Sequence, residues 1–305
     1  MSENNANPEQ NAVMQAPANE KKKRIHPGFI FLSFVPVAVL FAIQTVSQSV
    51  FLALATVELI NDGGSNIDPL TLYGSVMEIF NAKYAFICYL IYGGLCVTVF
   101  AIWYAKAFVK KNPRLKLNQI FGVRSVLAAI CTGIGLVFTV DALITILCYV
   151  APALIESYRK MVETSGIGNN VILTIVYGIV LGPILEELCL RGLVFGYLEK
   201  SGIRPGLIIL ITGLVFGCMH IIPVQVAYAT LLGLFLGFLR YKYRSILIPL
   251  IAHFAFNIMG TFGDKAIAQL GLKDGAVLII GGLSLFLMVF VIVAVNGDPK
   301  AYKAS

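Results

Sequence analysis

The feature that most constrains this chain is a series of apolar runs of the length that crosses a lipid bilayer, which takes about 20 residues per helix. Eight such runs lie at roughly 29–56, 84–105, 126–154, 171–198, 206–222, 224–240, 246–261 and 276–296. Hydrophobic residues make up 58% of the chain and charged residues only 13%, whereas a soluble domain carries roughly 25% charged residues. Backbone groups in lipid must be paired within their own segment, as helices allow. The sequence therefore predicts an all-α fold, a polytopic transmembrane bundle of about eight helices.

The basic residues indicate how these helices are oriented. If residues 1–28 form a cytoplasmic tail, 17 of the 23 Lys and Arg residues fall on the cytoplasmic side and five on the outer side, as the positive-inside rule requires. Both termini are therefore predicted to be cytoplasmic, with the plasma membrane as the location if the cell is bacterial. The polar tail is predicted to be disordered. Because the basic residues are spread in short clusters between the spans, no nucleic-acid partner is expected.

Ionisable residues within the apolar spans are the first candidates for function, because burying a charge in hydrocarbon is costly. They are Asp141, Glu186, Glu187, Arg191, His220 and His253. Glu187 and Arg191 are four residues apart, so they share a helix face and are predicted to neutralise one another. Glu186 is rotated from Glu187 by about 100° and has no nearby cation along its helix. The sequence therefore leaves Glu186 available for chemistry.

Two further spacings place polar groups on defined helix faces. Phe216-x-x-x-His220 puts a ring and an imidazole on one face, and His253-x-x-x-Asn257 puts an imidazole and a carboxamide on another. Counting about 1.5 Å per helical residue from the nearest cytoplasmic charges places these three polar groups and Glu186 at similar depths. The sequence therefore predicts a single site between the fourth, fifth and seventh spans, with Phe216 packed beside it.

Three motifs stand in order on successive spans, namely Glu186-Glu187-Leu-Cys-Leu-Arg191, Phe216-Gly-Cys-Met-His220 and His253-Phe-Ala-Phe-Asn257. In these motifs the chain resembles the CAAX-protease and bacteriocin-processing family of intramembrane proteases, whose motifs are E-E-x-x-x-R, F-x-x-x-H and H-x-x-x-N or D. The resemblance implies an intramembrane endopeptidase with a four-helix catalytic core at 168–261. By that division, 29–160 holds three accessory helices, and 262–305 holds an outer loop, the last helix and a short cytoplasmic tail.

The resemblance and the residue chemistry together imply a mechanism. Glu186 would act as a general base that activates a water molecule together with His220. His253 and Asn257 would donate hydrogen bonds to the oxyanion that forms when this water attacks a peptide carbonyl. The Glu–Arg pair described above would hold the site together. No cofactor is expected for this mechanism.

Zinc is an alternative, because two His and one Glu form the ligand set of several metallopeptidases. The ligands would be Glu186, His220 and His253, and they would have to converge from separate helices. No His-Glu-x-x-His motif is present in the sequence, although that motif is the usual way to present such ligands on one helix. The metal-free glutamate mechanism is therefore preferred.

The resemblance also implies that the partners are the lipid bilayer and a membrane-associated peptide or protein substrate. A prenylated CAAX-type C-terminal peptide, a leader or bacteriocin-like peptide and another membrane protein all qualify. Two other classes of protein stay open. One is a non-catalytic bacteriocin immunity or interaction protein on the same scaffold, which would not need the motif residues. The other is a transporter with a polar path through Asp141 and Glu186, although the polar residues cluster at one depth.

Overall fold

A computed structural model describes residues 25–63, 68–109, 122–164, 170–263 and 269–294. Within these ranges the chain forms nine helices and no strand, once helical segments that continue without a break are joined. Their bounds are α1 (Pro27–Asn61), α2 (Pro69–Ile79 continued by Phe80–Tyr84, Ala85–Tyr104 and Ala105–Val109), α3 (Val123–Val150), α4 (Pro152–Thr164), α5 (Val171–Ser201), α6 (Pro205–Cys218), α7 (Pro223–Tyr243), α8 (Leu247–Gly263) and α9 (Asp274–Ala294). The predicted all-α fold is confirmed. Most of the predicted N-terminal tail, and the predicted C-terminal tail, lie outside the described residues.

Eight of these helices correspond to the eight predicted spans, and α4 is additional. By length and composition, α1, α2, α3, α5 and α7 are able to cross a membrane, while α6, α8 and α9 are shorter apolar helices. Large apolar side chains face outward, as on α9, where Ile279 is 64% exposed and Phe286 is 67% exposed. Apolar faces of this kind are covered by lipid in a membrane protein. The chain is therefore an integral membrane protein with a polytopic helical bundle.

Two helices differ from what the apolar runs predict. α2 starts at Pro69, well before the run predicted from residue 84, because its first turns mix polar with apolar residues. α4 was not expected, since Arg159 and Lys160 are two of the five basic residues that the sequence assigns to outer segments between spans. The structure places both on the exposed face of α4, while Ile155 on its other face is buried. Both misses arise because a helix that is only partly apolar gives no continuous hydrophobic run.

α5 lies at the centre of the bundle and carries the first motif. Its side chains take part in three apolar clusters, so that Leu173 and Leu185 pack with α1 and α2, while Leu190 packs with α3, α6, α7 and α8. Every residue from 187 to 198 is buried. A helix that is buried all round is surrounded by other helices. Glu187 and Arg191, which lie in this stretch of α5, are therefore enclosed by protein.

α6 and α7 approach each other closely where two glycines meet. A Cβ atom added at Gly233 on α7 would lie 2.9 Å from both the Cα and the carbonyl oxygen of Gly213 and 3.2 Å from the Cβ of Phe216. Small residues at such positions let helix backbones approach within a membrane. This contact brings the carbonyl of Gly233 next to the second motif on α6.

We expect Gly233→Ala to lower the free energy of unfolding by about 1–3 kcal/mol, because the atoms that its methyl group would meet are backbone atoms in a packed interface. The fraction of protein that stays folded on heating in detergent measures this effect. Gly206→Ala on α6 is the matched control, since a Cβ atom there meets nothing within 4 Å. Equal thermal stability of the two variants would contradict the prediction.

Candidate active site

The innermost part of the site is an ion pair on α5. Arg191 Nη1 donates a hydrogen bond to Glu187 Oε1 over 2.8 Å, and the two side chains are 0% and 1% exposed, respectively. Arg191 Nη2 donates to the carbonyl oxygen of Gly233 over 3.0 Å. The guanidinium carbon lies 4.8 Å from the ring centroid of Phe216. The pair expected from the four-residue spacing is therefore present, and it links α5 to α6 and α7.

His253 on α8 lies between the two glutamates of the first motif. Its Nδ1 is 3.1 Å from Glu187 Oε1, and its Nε2 is 3.6 Å from Glu186 Oε2. An ionised carboxylate only accepts hydrogen bonds, so Nδ1 donates to Glu187 and the orientation of the ring is set. Nε2 then faces Glu186 at an ion-pair distance that is too long for a good hydrogen bond.

Glu186 differs from its neighbours in its exposure. Its side chain is 22% exposed, whereas that of His253 is 3% exposed and that of Glu187 is 1% exposed. Glu186 can therefore be reached by a water molecule or a substrate group, while the other members of the set are enclosed. The arrangement presents one open carboxylate that is backed by an imidazole and an ion pair.

His220 of the second motif lies in a turn and not on the helix, because α6 ends at Cys218. Its Nδ1 donates to the carbonyl oxygen of Phe216 over 2.8 Å, so Nε2 is the nitrogen that can accept a proton. The Phe216 ring stands edge-on to both imidazoles, with centroids 4.9 Å from His220 and 5.6 Å from His253. Phe216 therefore separates the two imidazoles and packs against both, as expected.

The turn after His220 has a strained backbone, which explains why α6 ends before the predicted limit of residue 222. Ile221 has a φ of 65°, in the left-handed region that a β-branched residue rarely adopts. The N–H of Ile222 donates to the carbonyl oxygen of His220 over 2.7 Å, and Pro223 begins α7. Strain of this kind often accompanies functional residues. Here it orients the segment that carries His220.

Asn257 of the third motif contacts the backbone of α5. Its Nδ2 donates a hydrogen bond to the carbonyl oxygen of Gly178 over 2.8 Å. Gly178 lies in a π-helical segment, Thr174–Leu181, and such segments are frequent at functional sites. The carboxamide has a second N–H that is available for another acceptor.

Of the predicted site residues, some contact one another directly in the structure and others only through an intervening side chain. The carboxylates of α5 and the imidazole of α8 contact one another, whereas His220 meets them through the ring of Phe216. Within the described ranges, no ion pair joins His220 to Glu186. Asp141, the remaining ionisable residue within the predicted spans, is not among the hydrogen-bond partners of the Arg191 guanidinium.

Sequence reasoning missed a group of tyrosines next to the site. The rings of Tyr92 on α2 and Tyr177 on α5 have centroids 6.0 Å apart. Both hydroxyls interact electrostatically with Glu186, and the ring of Tyr89 lies 4.7 Å from that of Tyr177. From the sequence one can say only that a buried tyrosine hydroxyl needs a hydrogen-bond partner. The sequence does not indicate where that partner lies.

The three residues considered as zinc ligands do not form a metal-binding group in this arrangement. Among the described residues, no cluster of three His, Cys, Asp or Glu side chains is placed so that it could hold a metal ion. His220 is turned toward the Phe216 carbonyl, while Glu186 and His253 approach each other. Whether activity depends on a metal is tested by adding a chelator.

Fold and site together define a class of protein, an integral helical membrane protein with acid–base residues enclosed between its helices. Residues 168–259 match the family model described as type II CAAX prenyl endopeptidase Rce1-like. The match confirms the family resemblance of the three motifs, and it supports a CAAX-type intramembrane protease in general. Helices α1 to α4 and α9 lie outside the residues that match this family model. A search of curated proteins and a search of solved structures found no match.

Proposed function

We propose that the chain is an intramembrane endopeptidase of the glutamate type, in which Glu186 activates a water molecule. The observation that carries this proposal is the open carboxylate of Glu186 next to His253, which is itself held by the enclosed pair of Glu187 and Arg191. A carboxylate beside an imidazole in an enclosed site suits general acid–base catalysis. The family match supports the protease class but not the catalytic type.

The proposed reaction begins with proton transfer from a water molecule to Glu186. The water oxygen bonds to the carbonyl carbon of the substrate, and the carbonyl oxygen becomes an oxyanion. The C–N bond then breaks, and the leaving nitrogen receives the proton that Glu186 holds. The products are a carboxylic acid and an amine, and Glu186 returns to its ionised form. No cofactor takes part in this sequence of steps.

The imidazoles and the carboxamide have complementary roles in the proposal. His253, oriented by Glu187, donates a hydrogen bond from Nε2 to the oxyanion. His220 has Nε2 available as an acceptor, because Nδ1 donates to the Phe216 carbonyl, and it accepts a hydrogen bond from the attacking water while Glu186 takes the proton. Asn257 donates its second N–H to the oxyanion.

The proposed substrates are membrane-associated peptides, either CAAX-type C-terminal peptides or leader or bacteriocin-like peptides. We place both termini in the cytoplasm because of the distribution of basic residues, and we propose the plasma membrane as the location in a bacterial cell. α1, α2 and α3 would be accessory to the core of α5 to α8. Tyr92 and Tyr89 show how α2 would contribute to the site.

The proposal is tested with the purified full chain in lipid vesicles that hold a panel of membrane-tethered peptides. We expect cleavage that is unchanged by a chelator of divalent metals, because the proton transfers involve side chains alone. Loss of cleavage on chelation, with recovery on addition of zinc, would replace the glutamate mechanism by a metal mechanism. No cleavage of CAAX-type, leader or bacteriocin-like peptides would favour the immunity or transport classes.

A further inference from the structure

We infer that Asn257 is a positioning residue for α5, because its side chain supplies the hydrogen bond that Pro183 is unable to make. The inference rests on the proposed function and deepens it, since it concerns how the helix that carries Glu186 is held. It assigns to the third motif a role besides donation to the oxyanion. It also gives a role to Pro183, which lies within α5.

The backbone of α5 leaves one carbonyl without its usual donor. From Thr174 to Leu181 the helix is wound as a π-helix, and the N–H of Gly182 donates to the carbonyl of Tyr177, five residues earlier. The next donor in this register would be residue 183, opposite the carbonyl of Gly178. Pro183 has no N–H, so the helix provides no donor for Gly178 from that residue.

Asn257 occupies the position of the missing donor. Its Nδ2 lies 2.8 Å from the carbonyl oxygen of Gly178, so a side-chain amide on α8 replaces a backbone amide on α5. One helical turn earlier on α8, His253 contacts the carboxylates of Glu186 and Glu187. α8 therefore contacts α5 on both sides of Pro183. Asn257 binds the backbone of α5 before Pro183, and His253 contacts the carboxylate of Glu186 after Pro183.

The consequence of losing this contact follows from helix geometry. A carbonyl without a donor between packed helices is unfavourable, so the π-helical segment would tend to rewind toward the ordinary α register. A shift of one residue in register turns the following residues by about 100°. Glu186 follows the segment, and Tyr177 lies within it. Their relative placement therefore depends on Asn257.

The test is a double-mutant cycle of Asn257→Ala and Pro183→Ala in the full chain. Each variant is assayed for kcat and KM with a membrane-tethered peptide in vesicles, and for Tm in detergent. In the wild-type background we expect Asn257→Ala to lower kcat by about tenfold or more and to lower Tm, because the half-buried Gly178 carbonyl loses its donor. In the Pro183→Ala background, residue 183 has an N–H again. We therefore expect Asn257→Ala in that background to lower kcat by less than about threefold and to leave Tm unchanged.

Asn170→Ala is the matched control, because Asn170 Oδ1 also bonds the backbone of α5, accepting from the N–H of Leu173 over 2.9 Å. Its effect on Tm should be equal in both backgrounds. Equal losses of Tm for Asn257→Ala with and without Pro183 would overturn the positioning role. If Pro183→Ala is itself inactive, the Tm cycle decides alone. If the wild type cleaves no peptide, the proposed function fails, while the Tm cycle still tests the contact.

Discussion

Replacement of Glu186 by glutamine is expected to lower kcat for peptide cleavage by about 10²–10⁴-fold, the range that a general base contributes. Glutamine has nearly the same size as glutamate but is unable to accept a proton from water. The carboxylate of Glu186 is partly open and makes its closest approach to His253 at 3.6 Å, so the substitution breaks no short hydrogen bond of the fold. Cleavage of a membrane-tethered peptide by purified protein measures the effect.

Glu78→Gln is the matched control for this experiment. Glu78 lies on the exposed surface of α2, and the same chemical change there should leave kcat within about twofold of the wild type, as is usual for surface positions. Thermal unfolding of both variants should follow that of the wild type. Cleavage by Glu186→Gln at a wild-type rate would show that another group activates the water.

The parts of the site that the sequence predicts are those that depend on one helix. The pairing of Glu187 with Arg191 follows from a four-residue spacing, and the structure contains that ion pair. The eight apolar helices follow equally directly, because lipid requires long apolar segments. Local rules suffice for these features, since the residues involved are neighbours along one helix.

The contacts between helices could not be predicted in the same way. Glu186 is turned away from Glu187 along the helix, yet both carboxylates approach His253 from different sides of its ring. That arrangement depends on how α8 packs against α5, which a single sequence does not specify. The bond from Asn257 to Gly178 depends in addition on a π-helical segment and is invisible to residue spacing.

His220 shows a different limit of spacing rules. The F-x-x-x-H spacing predicts that Phe216 and His220 share a helix face, and their rings do meet. They meet because His220 donates to the Phe216 carbonyl from a turn, since the helix ends at Cys218. The contact between Phe216 and His220 that a regular helix predicts is thus made from a turn. The imidazole of His220 therefore points in a direction that helix geometry does not predict.

Replacement of Arg191 by methionine is expected to have the largest effect on stability, lowering the free energy of unfolding by about 3–5 kcal/mol. Methionine keeps much of the length of the side chain but removes its charge. Glu187 would then be an enclosed carboxylate without its cation, and the carbonyl of Gly233 would lose its donor. The yield of folded protein and its Tm in detergent measure this loss.

The double variant Glu187→Gln with Arg191→Met separates the loss of a partner from the loss of packing. Because the unpaired charge is then absent, we expect it to recover at least half of the lost stability, as neutral replacements of buried ion pairs often do. Arg244→Met is the matched control, since the Arg244 side chain in its ion pair with Glu199 is 48% exposed and the pair should contribute less than about 1 kcal/mol. If Arg191→Met were no more harmful than Arg244→Met, the enclosed pair would not hold α5. If the double variant is stable but no longer cleaves, the pair acts by orienting His253 toward Glu186.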